Sequence, residues 1–347
     1  MGKKRIAVLH AQVPFVIGGA ELMVQALRDS LIQKGFDAEI VAVPFKWYPQ
    51  KSLYDSMLAW RMLDLSEADG RKIDLVIGTK FPSYGVIHEN KVIWMIQQYR
   101  QAYDLYHSPY GLAQQEEGDQ IQKRVHNYDK LTISEAKAVY TISKNTADRL
   151  KRFNGLDSEV LYQPPPLVGR YYCDTFEDYI LSVGRLDKLK RNDLLIRALC
   201  YCNKDVRVKI AGKGDQRKEL EKLADQWKVR DRVEFLGFVS DDELLRLYAH
   251  ARMVFFAPID EDYGYITLEA FLSGKPVLTC KDAGGVLEFV EDGASGCICD
   301  ASPELLGEKI NRLWNNKEEC KKMGREGCQR VKKFSWDHVV KKLTESL

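Results

Sequence analysis

The chain has 347 residues, 45% hydrophobic and 29% charged, and its 52 Lys and Arg residues nearly balance 50 Asp and Glu residues, which leaves a net charge of +2. At about 150 residues per domain, this length predicts two domains. The ordinary composition excludes a disordered, collagen-like or coiled-coil protein, and the near-neutral charge argues against nucleic-acid binding.

Localisation is indicated by what the sequence lacks. No apolar run approaches the ~18 residues of a membrane span, and the apolar run after Arg5 is too short for a signal-peptide core. All eight cysteines lie from Cys173 onward, whereas a secreted disulfide framework rarely leaves half a chain without one. We therefore expect reduced thiols and a cytoplasmic protein.

In the first half of the chain, apolar strands alternate with helices. Strands are predicted at 6–10, 38–43, 73–77 and 92–96, and helices at 22–34 and 54–65. Each strand is a continuous apolar run, which is typical of a parallel sheet covered on both faces.

This alternation stops at Gln163-Pro164-Pro165-Pro166 and then resumes. Three consecutive prolines fit neither a helix nor a central strand, so we place the interdomain connection there. Strands then follow at 179–183, 206–211, 233–236, 253–257 and 276–279, each leading toward a helix, and the tail from Pro303 is helical. The sequence predicts two doubly wound α/β domains with a ligand site in the cleft between them.

An acidic loop, Asp260-Glu261-Asp262, follows one predicted strand and precedes Gly264 and a helix that carries Glu269. Amides at such a helix start bind oxyanions, and carboxylates accept hydrogen bonds from hydroxyl groups. The backbone amides and the carboxylates together therefore suit an anion that carries several hydroxyl groups. Two alternatives are a solvated acidic loop and an Asp-x-Asp site for Mg or Mn.

Arg185 and Lys190 follow another strand. Five positions apart, they would not share one face of a regular helix, but on a loop they could converge on a diphosphate. We interpret Lys188 and Arg191 as part of a solvated basic turn. The glycines of Gly284-Gly285 would permit close backbone approach to a ligand, or simply form a tight turn.

Together these motifs resemble the retaining family-4 glycosyltransferases, which have the GT-B fold. The most specific is the Glu-x7-Glu pattern from Glu261 to Glu269. The others are Gly18-Gly19-Ala20-Glu21, Gly184-Arg185 with Lys190, Gly212-Lys213-Gly214-Asp215, Leu236-Gly237-Phe238-Val239, Gly284-Gly285, and Ser335-Trp336 at the start of the last helix.

The resemblance implies an acceptor-side domain over 1–165, completed by a last helix at about 336–347 that crosses back to it, and a donor-binding domain over 166–335. It implies a hexosyltransferase that uses a nucleoside-diphosphate sugar and a hydroxyl acceptor, with no other cofactor and no metal. The alternatives are a nucleotide-sugar epimerase of the same fold and a non-catalytic sugar-nucleotide-binding scaffold. The sequence indicates no oligomeric state.

Site roles follow from the same resemblance. Arg185 and Lys190 would hold the leaving diphosphate, and Glu269 would bind the ribose. Glu261 would bind the transferred sugar. The remaining donor contacts would come from Gly18, Gly19, Gly184, Phe238, Val239, Gly264, Tyr265 and Ile266.

Three further features depart from the pattern or leave alternatives open. Family members often carry a His where this chain has Gln97 and Gln98, and His107 lies nearby, so the acceptor side is the least defined. The basic segment from Lys321 to Lys333 predicts a solvated helix face, with peripheral contact at the inner face of a membrane as the alternative. The cysteines of 200–202 and 297–299 predict small buried apolar side chains rather than a zinc site.

Overall fold

The computed structural model describes residues 2–347, which divide into two compact units. The first comprises residues up to Pro166 together with Phe334–Leu347, and the second comprises Leu167–Lys333. The division thus follows the run of three prolines.

The first unit is built on a six-stranded parallel sheet. Its strands are β1 (Arg5–Gln12), β2 (Asp37–Pro44), β5 (Leu75–Lys80), β6 (Lys91–Gln97), β7 (Ala138–Thr141) and β8 (Glu159–Val160), in the order β2-β1-β5-β6-β7-β8. A small antiparallel hairpin joins β3 (Glu67–Ala68) to β4 (Arg71–Lys72). The helices are α1 (Gly19–Gln33), α2 (Gln50–Met62), α3 (Gly118–Ser134) and α4 (Lys144–Asn154).

The second unit repeats this architecture with a parallel sheet in the order β11-β10-β9-β12-β13-β14. Its strands are β9 (Ile180–Val183), β10 (Val208–Ala211), β11 (Val233–Gly237), β12 (Met253–Phe255), β13 (Val277–Cys280) and β14 (Gly296–Cys299). Its helices are α5 (Asn192–Ala198), α6 (Arg217–Gln226), α7 (Asp241–His250), α8 (Tyr265–Leu272), α9 (Pro303–Trp314) and α10 (Lys317–Val331).

The last helix, α11 (Trp336–Leu343), belongs to the first unit, as predicted from Ser335-Trp336. The Ser335 hydroxyl caps it by accepting from the backbone N–H of His338. The ring of Trp336 packs edge-to-face on Trp94 of β6, with centroids 6.0 Å apart. This contact anchors the chain terminus on the first sheet.

Local sequence explains most of these boundaries. The central strands of both sheets are buried and mostly apolar, for example at Leu75–Ile77 and Val277–Cys280, whereas the edge strands β2 and β11 are partly exposed. Serines cap α4, α7 and α9 by accepting a backbone N–H of the first turn, and Pro303 stands at the first position of α9. β7, β8, β14, the β3–β4 hairpin, α3 and α4 were not predicted from the sequence. These strands are only two to four residues long, and the two helices contain few apolar residues.

Candidate functional site

Apart from Gly18 and Gly19, the predicted donor residues lie at the carboxyl edge of the second sheet. Those from Gly184 to Lys190 follow β9, Phe238 and Val239 follow β11, and those from Glu261 to Glu269 follow β12. Since β11, β10, β9 and β12 are consecutive in the sheet, their carboxyl ends form one continuous edge. Open α/β sheets bind ligands at this edge.

Glycines let the loops at this edge pack backbone against backbone. Gly184 and Gly212 have φ angles of +127° and +144°, which side-chain-bearing residues rarely adopt. A Cβ on Gly212 would lie 1.8 Å from the carbonyl oxygen of Gly184. The N–H of Gly212 donates to the carbonyl of Gly237 at 2.7 Å. Three adjacent loops are thereby held together without side chains.

Asp187 joins the two predicted diphosphate-binding cations. Its Oδ2 accepts from Nε of Arg185 at 3.1 Å, and its Oδ1 accepts from the backbone N–H of Lys190 at 3.1 Å. The Arg185 side chain is exposed, whereas that of Lys190 is largely covered. The carboxylate therefore fixes both residues on one short turn, and Arg185 still faces solvent.

Lys190 also contacts Glu261. The lysine ammonium donates to the glutamate Oε2 and lies 5.3 Å from the centroid of the Phe256 ring. The resemblance assigned these two residues to different parts of the donor, the diphosphate and the sugar. The structure brings them into direct contact.

Arg191 corrects a prediction of the sequence analysis. Its side chain is only 12% exposed and does not belong to a solvated turn, unlike Lys188. The guanidinium donates to the carbonyls of Ala257 and Pro258 and makes a bidentate pair with Asp282. The prediction was wrong because sequence spacing could not show the chain segments that surround it.

The turn at Gly284-Gly285 holds the acidic loop. The N–H of Glu261 donates to the carbonyl of Ala283, and the N–H of Gly285 donates back to the carbonyl of Glu261. A Cβ on Gly284 would lie 2.6 Å from that same oxygen. The glycines thus permit close approach to the acidic loop, which gives Glu261 a fixed backbone position.

The acidic loop leads into α8 through Gly264. This glycine caps the helix with a φ of +85°, and a Cβ there would lie 2.9 Å from the Phe256 ring. Tyr265 and Ile266 form the first turn, partly exposed, and the Ile266 side chain lies beside Gly184. The start of α8, where backbone N–H groups suit an anion, is therefore adjacent to the loop after β9.

Glu269 lies on the second turn of α8. Its Oε2 accepts a hydrogen bond of 2.7 Å from the hydroxyl of Tyr248 on α7. Burial raises the pKa of Glu269 above its usual value, against the opposing effect of the Tyr248 and Tyr171 hydroxyls. The carboxylate is thus held in one orientation at the edge of the site.

Phe238 presents an aromatic face to solvent. Its side chain is 75% exposed, and Nζ of Lys213 lies 5.4 Å from its ring centroid. Val239 beside it is partly covered. An exposed ring next to a cation can stack on a base. The role of Phe238 at the base stays a prediction.

In the first unit, Gly18 and Gly19 form the start of α1. The N–H of Gly18 donates to Oε2 of Glu21 at 2.8 Å, so this amide is already engaged within the turn. Nζ of Lys80 and Nε2 of His10 lie 3.0 and 3.2 Å from the other carboxylate oxygen. Although burial opposes it, hydrogen bonding to His10 and the charge of Lys80 lower the pKa of Glu21 to about 2.

The acceptor-side residues separate into buried and exposed groups. Gln98 is buried and donates to Oδ1 of Asn154 at 2.9 Å and to Oδ2 of Asp129 at 3.3 Å. It therefore belongs to a polar network inside the first unit. Gln97 is partly exposed at the end of β6, and His107 is exposed on the following loop.

Metal ligation and cysteine packing can be described for residues 2–347. Within them, no group of three or more His, Cys, Asp or Glu side chains is arranged to hold a metal ion.

Cys297 and Cys299 are buried, as predicted, but Cys200 is exposed and Cys202 is partly buried. The prediction that Cys200 and Cys202 are buried was therefore wrong.

Five residues that hold predicted site residues in place within their own units were not predicted from the sequence. They are Asp187, Asp282, Tyr248, His10 and Lys80. Asp187 begins a short 3-10 turn, and its position before Lys188–Lys190 is the typical capping signal. No local pattern points to Tyr248, because its partner Glu269 is on a different helix.

The comparisons with known proteins agree with this geometry. Residues 174–330 match the family described as "Glycosyl transferases group 1". An uncharacterized glycosyltransferase of Methanocaldococcus jannaschii is 25% identical, over 94% of this chain and 93% of its own length. A D-inositol 3-phosphate glycosyltransferase of Mycolicibacterium smegmatis is 30% identical, over 65% of this chain and 54% of its own length.

Among solved structures, Anabaena HepE in complex with UDP-glucose is similar with a TM-score of 0.71 and 18% identity, covering 99% of this chain and 98% of that one. This likeness concerns the fold, and the two parallel α/β units have the architecture of the GT-B fold. The match to the glycosyl transferases group 1 family covers residues 174–330, most of the second unit, and the two relatives that extend beyond it are also glycosyltransferases.

Proposed function

We propose that this protein is a retaining, metal-independent glycosyltransferase that moves a hexose from a nucleoside-diphosphate sugar to a hydroxyl acceptor. The observation that carries the proposal is the contact between Lys190 and Glu261 at the carboxyl edge of the second sheet. It puts a cation suited to a phosphate directly beside a carboxylate suited to sugar hydroxyls. A glycosyl–phosphate bond joins these two groups, a phosphate and a sugar that carries hydroxyls.

The charges at this edge suit the breaking of that bond. Negative charge builds on the diphosphate as it leaves, so cations placed beforehand stabilise the transition state more than the ground state. Arg185 and Lys190 are held on one turn by Asp187, and Arg185 is open to solvent. In this proposal the leaving phosphate itself takes the proton of the acceptor hydroxyl on the same face, so no enzymatic nucleophile is needed.

Donor recognition is divided along the same edge. Glu269, fixed by Tyr248, would accept hydrogen bonds from the ribose hydroxyls, and Phe238 with Val239 would contact the base. We propose UDP or GDP as the nucleotide, with UDP tested first because the structural neighbour HepE was solved with UDP-glucose. The acceptor would be a glycan, a lipid-linked molecule or a small molecule bound by the first unit, in a cytoplasmic setting.

The test combines binding with product analysis. Calorimetry with UDP and GDP should show binding of one of them, weakened about tenfold or more in Glu269→Ala. With the preferred donor, proton NMR should show a transferred sugar of unchanged anomeric configuration. An epimerised donor formed without any acceptor would instead support the epimerase, and nucleotide binding without turnover would support the scaffold.

A further inference from the structure

Two loops leave the first sheet side by side at its carboxyl edge. β1 and β2 are parallel neighbours whose last residues, Gln12 and Pro44, are paired in register. The backbone N–H of Phe45 then donates to the carbonyl of Gln12 at 2.7 Å. The segments 13–17 and 45–48, called here the apolar loop pair, are therefore adjacent.

The apolar loop pair exposes large side chains to water. Phe15 is 106% exposed relative to its reference value, Ile17 is 77% exposed and Tyr48 is 60% exposed. Single exposed apolar residues are ordinary on protein surfaces, but three on two neighbouring loops form a patch. Such a patch is typical of a surface that a partner covers.

The first loop is held in this exposed arrangement. The Gln12 side-chain amide donates to the carbonyls of Val13 and Val16, both at 2.9 Å, and the N–H of Val16 donates to the carbonyl of Val13. Phe15 has a φ of +63°, which a bulky side chain rarely adopts. The hydrogen bonds around it keep this strained conformation, so the apolar tip is preformed rather than created by binding.

The second loop adds a positive charge and anchored aromatic rings. Nζ of Lys46 lies 5.2 Å from the Tyr48 ring centroid, and Trp47 contacts Tyr48 edge-to-face. Segments 13–17 and 45–48 contain no Asp or Glu, and exposed Lys51 follows on α2. Aromatic and aliphatic tips combined with lysine match the chemistry of an interface between anionic lipid headgroups and acyl chains.

We propose that the apolar loop pair docks this protein on a membrane surface that contains anionic lipid. A lipid surface accounts for both the apolar tips and the exposed Lys46 and Lys51, whereas an apolar protein partner would account only for the tips. The proposal does not depend on the enzymatic activity.

The basic helix that the sequence suggested for membrane contact carries its own acidic partners. Lys321 pairs with Glu318 at 2.6 Å, and Arg330 pairs with Glu291. Ion pairs of this kind reduce the net attraction of α10 to an anionic surface. The loops after β1 and β2 therefore fit a lipid surface better than α10 does.

Vesicle sedimentation tests the proposal directly. The full chain is mixed with vesicles of phosphatidylcholine containing 40% phosphatidylglycerol, or with pure phosphatidylcholine, at about 0.1 M salt, where charges within a Debye length still act. We expect the wild type to bind the anionic vesicles at least tenfold better than Phe15→Ser/Ile17→Ser does. Lys46→Glu should also weaken binding to the anionic vesicles. High salt should reduce the binding of the wild type to them.

Ile87→Ser is the matched control. Ile87 is 62% exposed in the same unit and lies before β6, at the opposite edge of the sheet. This variant should bind like the wild type. A Phe15→Trp variant should also show an added fluorescence component that brominated lipids quench, which reports insertion of the tip itself.

Three results would overturn the proposal. The wild type could remain in the supernatant with anionic vesicles, the double serine variant could bind as well as the wild type, or binding could be equal on neutral vesicles. Circular dichroism of each variant shows whether it is folded, and both serine substitutions are at exposed positions where packing is not disturbed.

Discussion

Lys190 and Glu261 form an ion pair at the carboxyl edge of the second sheet, with both side chains largely covered. Lys190 comes from the loop after β9 and Glu261 from the loop after β12, two strands that are neighbours in the sheet. With Arg185 and Asp187 the group holds two positive and two negative charges. A bound diphosphate would therefore have to compete with carboxylates for the same cations.

Removal of the Lys190 charge is expected to impair turnover strongly. Lys190→Ala leaves the partly buried Glu261 without this cation and removes stabilisation of the leaving group, so we expect kcat to fall on the order of 100-fold, about 2.7 kcal/mol. Steady-state kinetics checks this, with exposed Lys188→Ala as the control on the same turn. Equal losses in the two variants would contradict a specific role for Lys190.

Arg185→Ala should lower kcat more than it raises KM for the donor. Its guanidinium would act mainly on charge that develops in the transition state, which changes kcat rather than ground-state binding. The measurement is the ratio of the two parameters relative to the wild type. A large rise in KM at unchanged kcat would show that Arg185 only binds the donor.

The contact between Gly184 and Gly212 predicts a large cost for a small substitution. A methyl group on Gly212 would overlap the Gly184 carbonyl, so Gly212→Ala should destabilise the second unit by about 3 kcal/mol. Gly293 in the same unit also has a positive φ, but a Cβ there would meet no atom within 4 Å. Gly293→Ala should therefore cost only about 1 kcal/mol in urea unfolding. Similar costs would show that the steric contact is unimportant.

We predict that the free energy of unfolding depends on pH because of Asp129. Burial raises its pKa to about 7, although hydroxyls of Tyr103 and Tyr84 donate to it. The folded protein thus holds this proton more tightly than the unfolded chain does. The proton on Asp129 therefore stabilises the folded state fully below the unfolded pKa near 4, and this stabilisation is lost as the pH rises through 7. Relative to Asp129→Asn, the wild type should lose on the order of 3 kcal/mol between pH 4 and 8. A constant difference in urea unfolding would contradict the shift.

Chelation tests the proposed independence from metals. Since the cations proposed for the diphosphate are Arg185 and Lys190, activity should persist after exhaustive treatment with EDTA. The control is the same preparation with Mn²⁺ added back. Activity lost on chelation and restored by Mn²⁺ would favour an Asp-x-Asp site at Asp260 and Asp262.

Much of the fold could be predicted because its signals are local. A buried parallel strand needs a continuous apolar run, and a helix needs a cap and one apolar face, so β9, β10 and α7 are all readable in short windows. The helices α3 and α4 were missed, although Ser143 caps α4, because few of their residues are apolar. The helix α2 was predicted, but in the structure it begins at Gln50, four residues before the predicted start.

The donor side could be predicted only as a set of residues. The Glu-x7-Glu spacing and the glycines of the β9 and β10 loops are fixed along the chain, and strand ends at one edge follow from parallel topology. Arg191 shows the limit of this reasoning. Its charge suggested a solvated turn, but strands β12 and β13 bring Ala257 and Asp282 around its guanidinium.

By itself, the sequence determined the alternation of strands and helices, the break at the prolines, and the residue types available for donor chemistry. Only the tertiary structure decided which of them are partners: Lys190 with Glu261, Glu269 with Tyr248, and Gln98 with Asp129. The reason is physical. Secondary structure depends on neighbours a few positions apart, whereas a charge or hydroxyl takes its partner from whatever chain segment the packing of the sheet brings within hydrogen-bond distance.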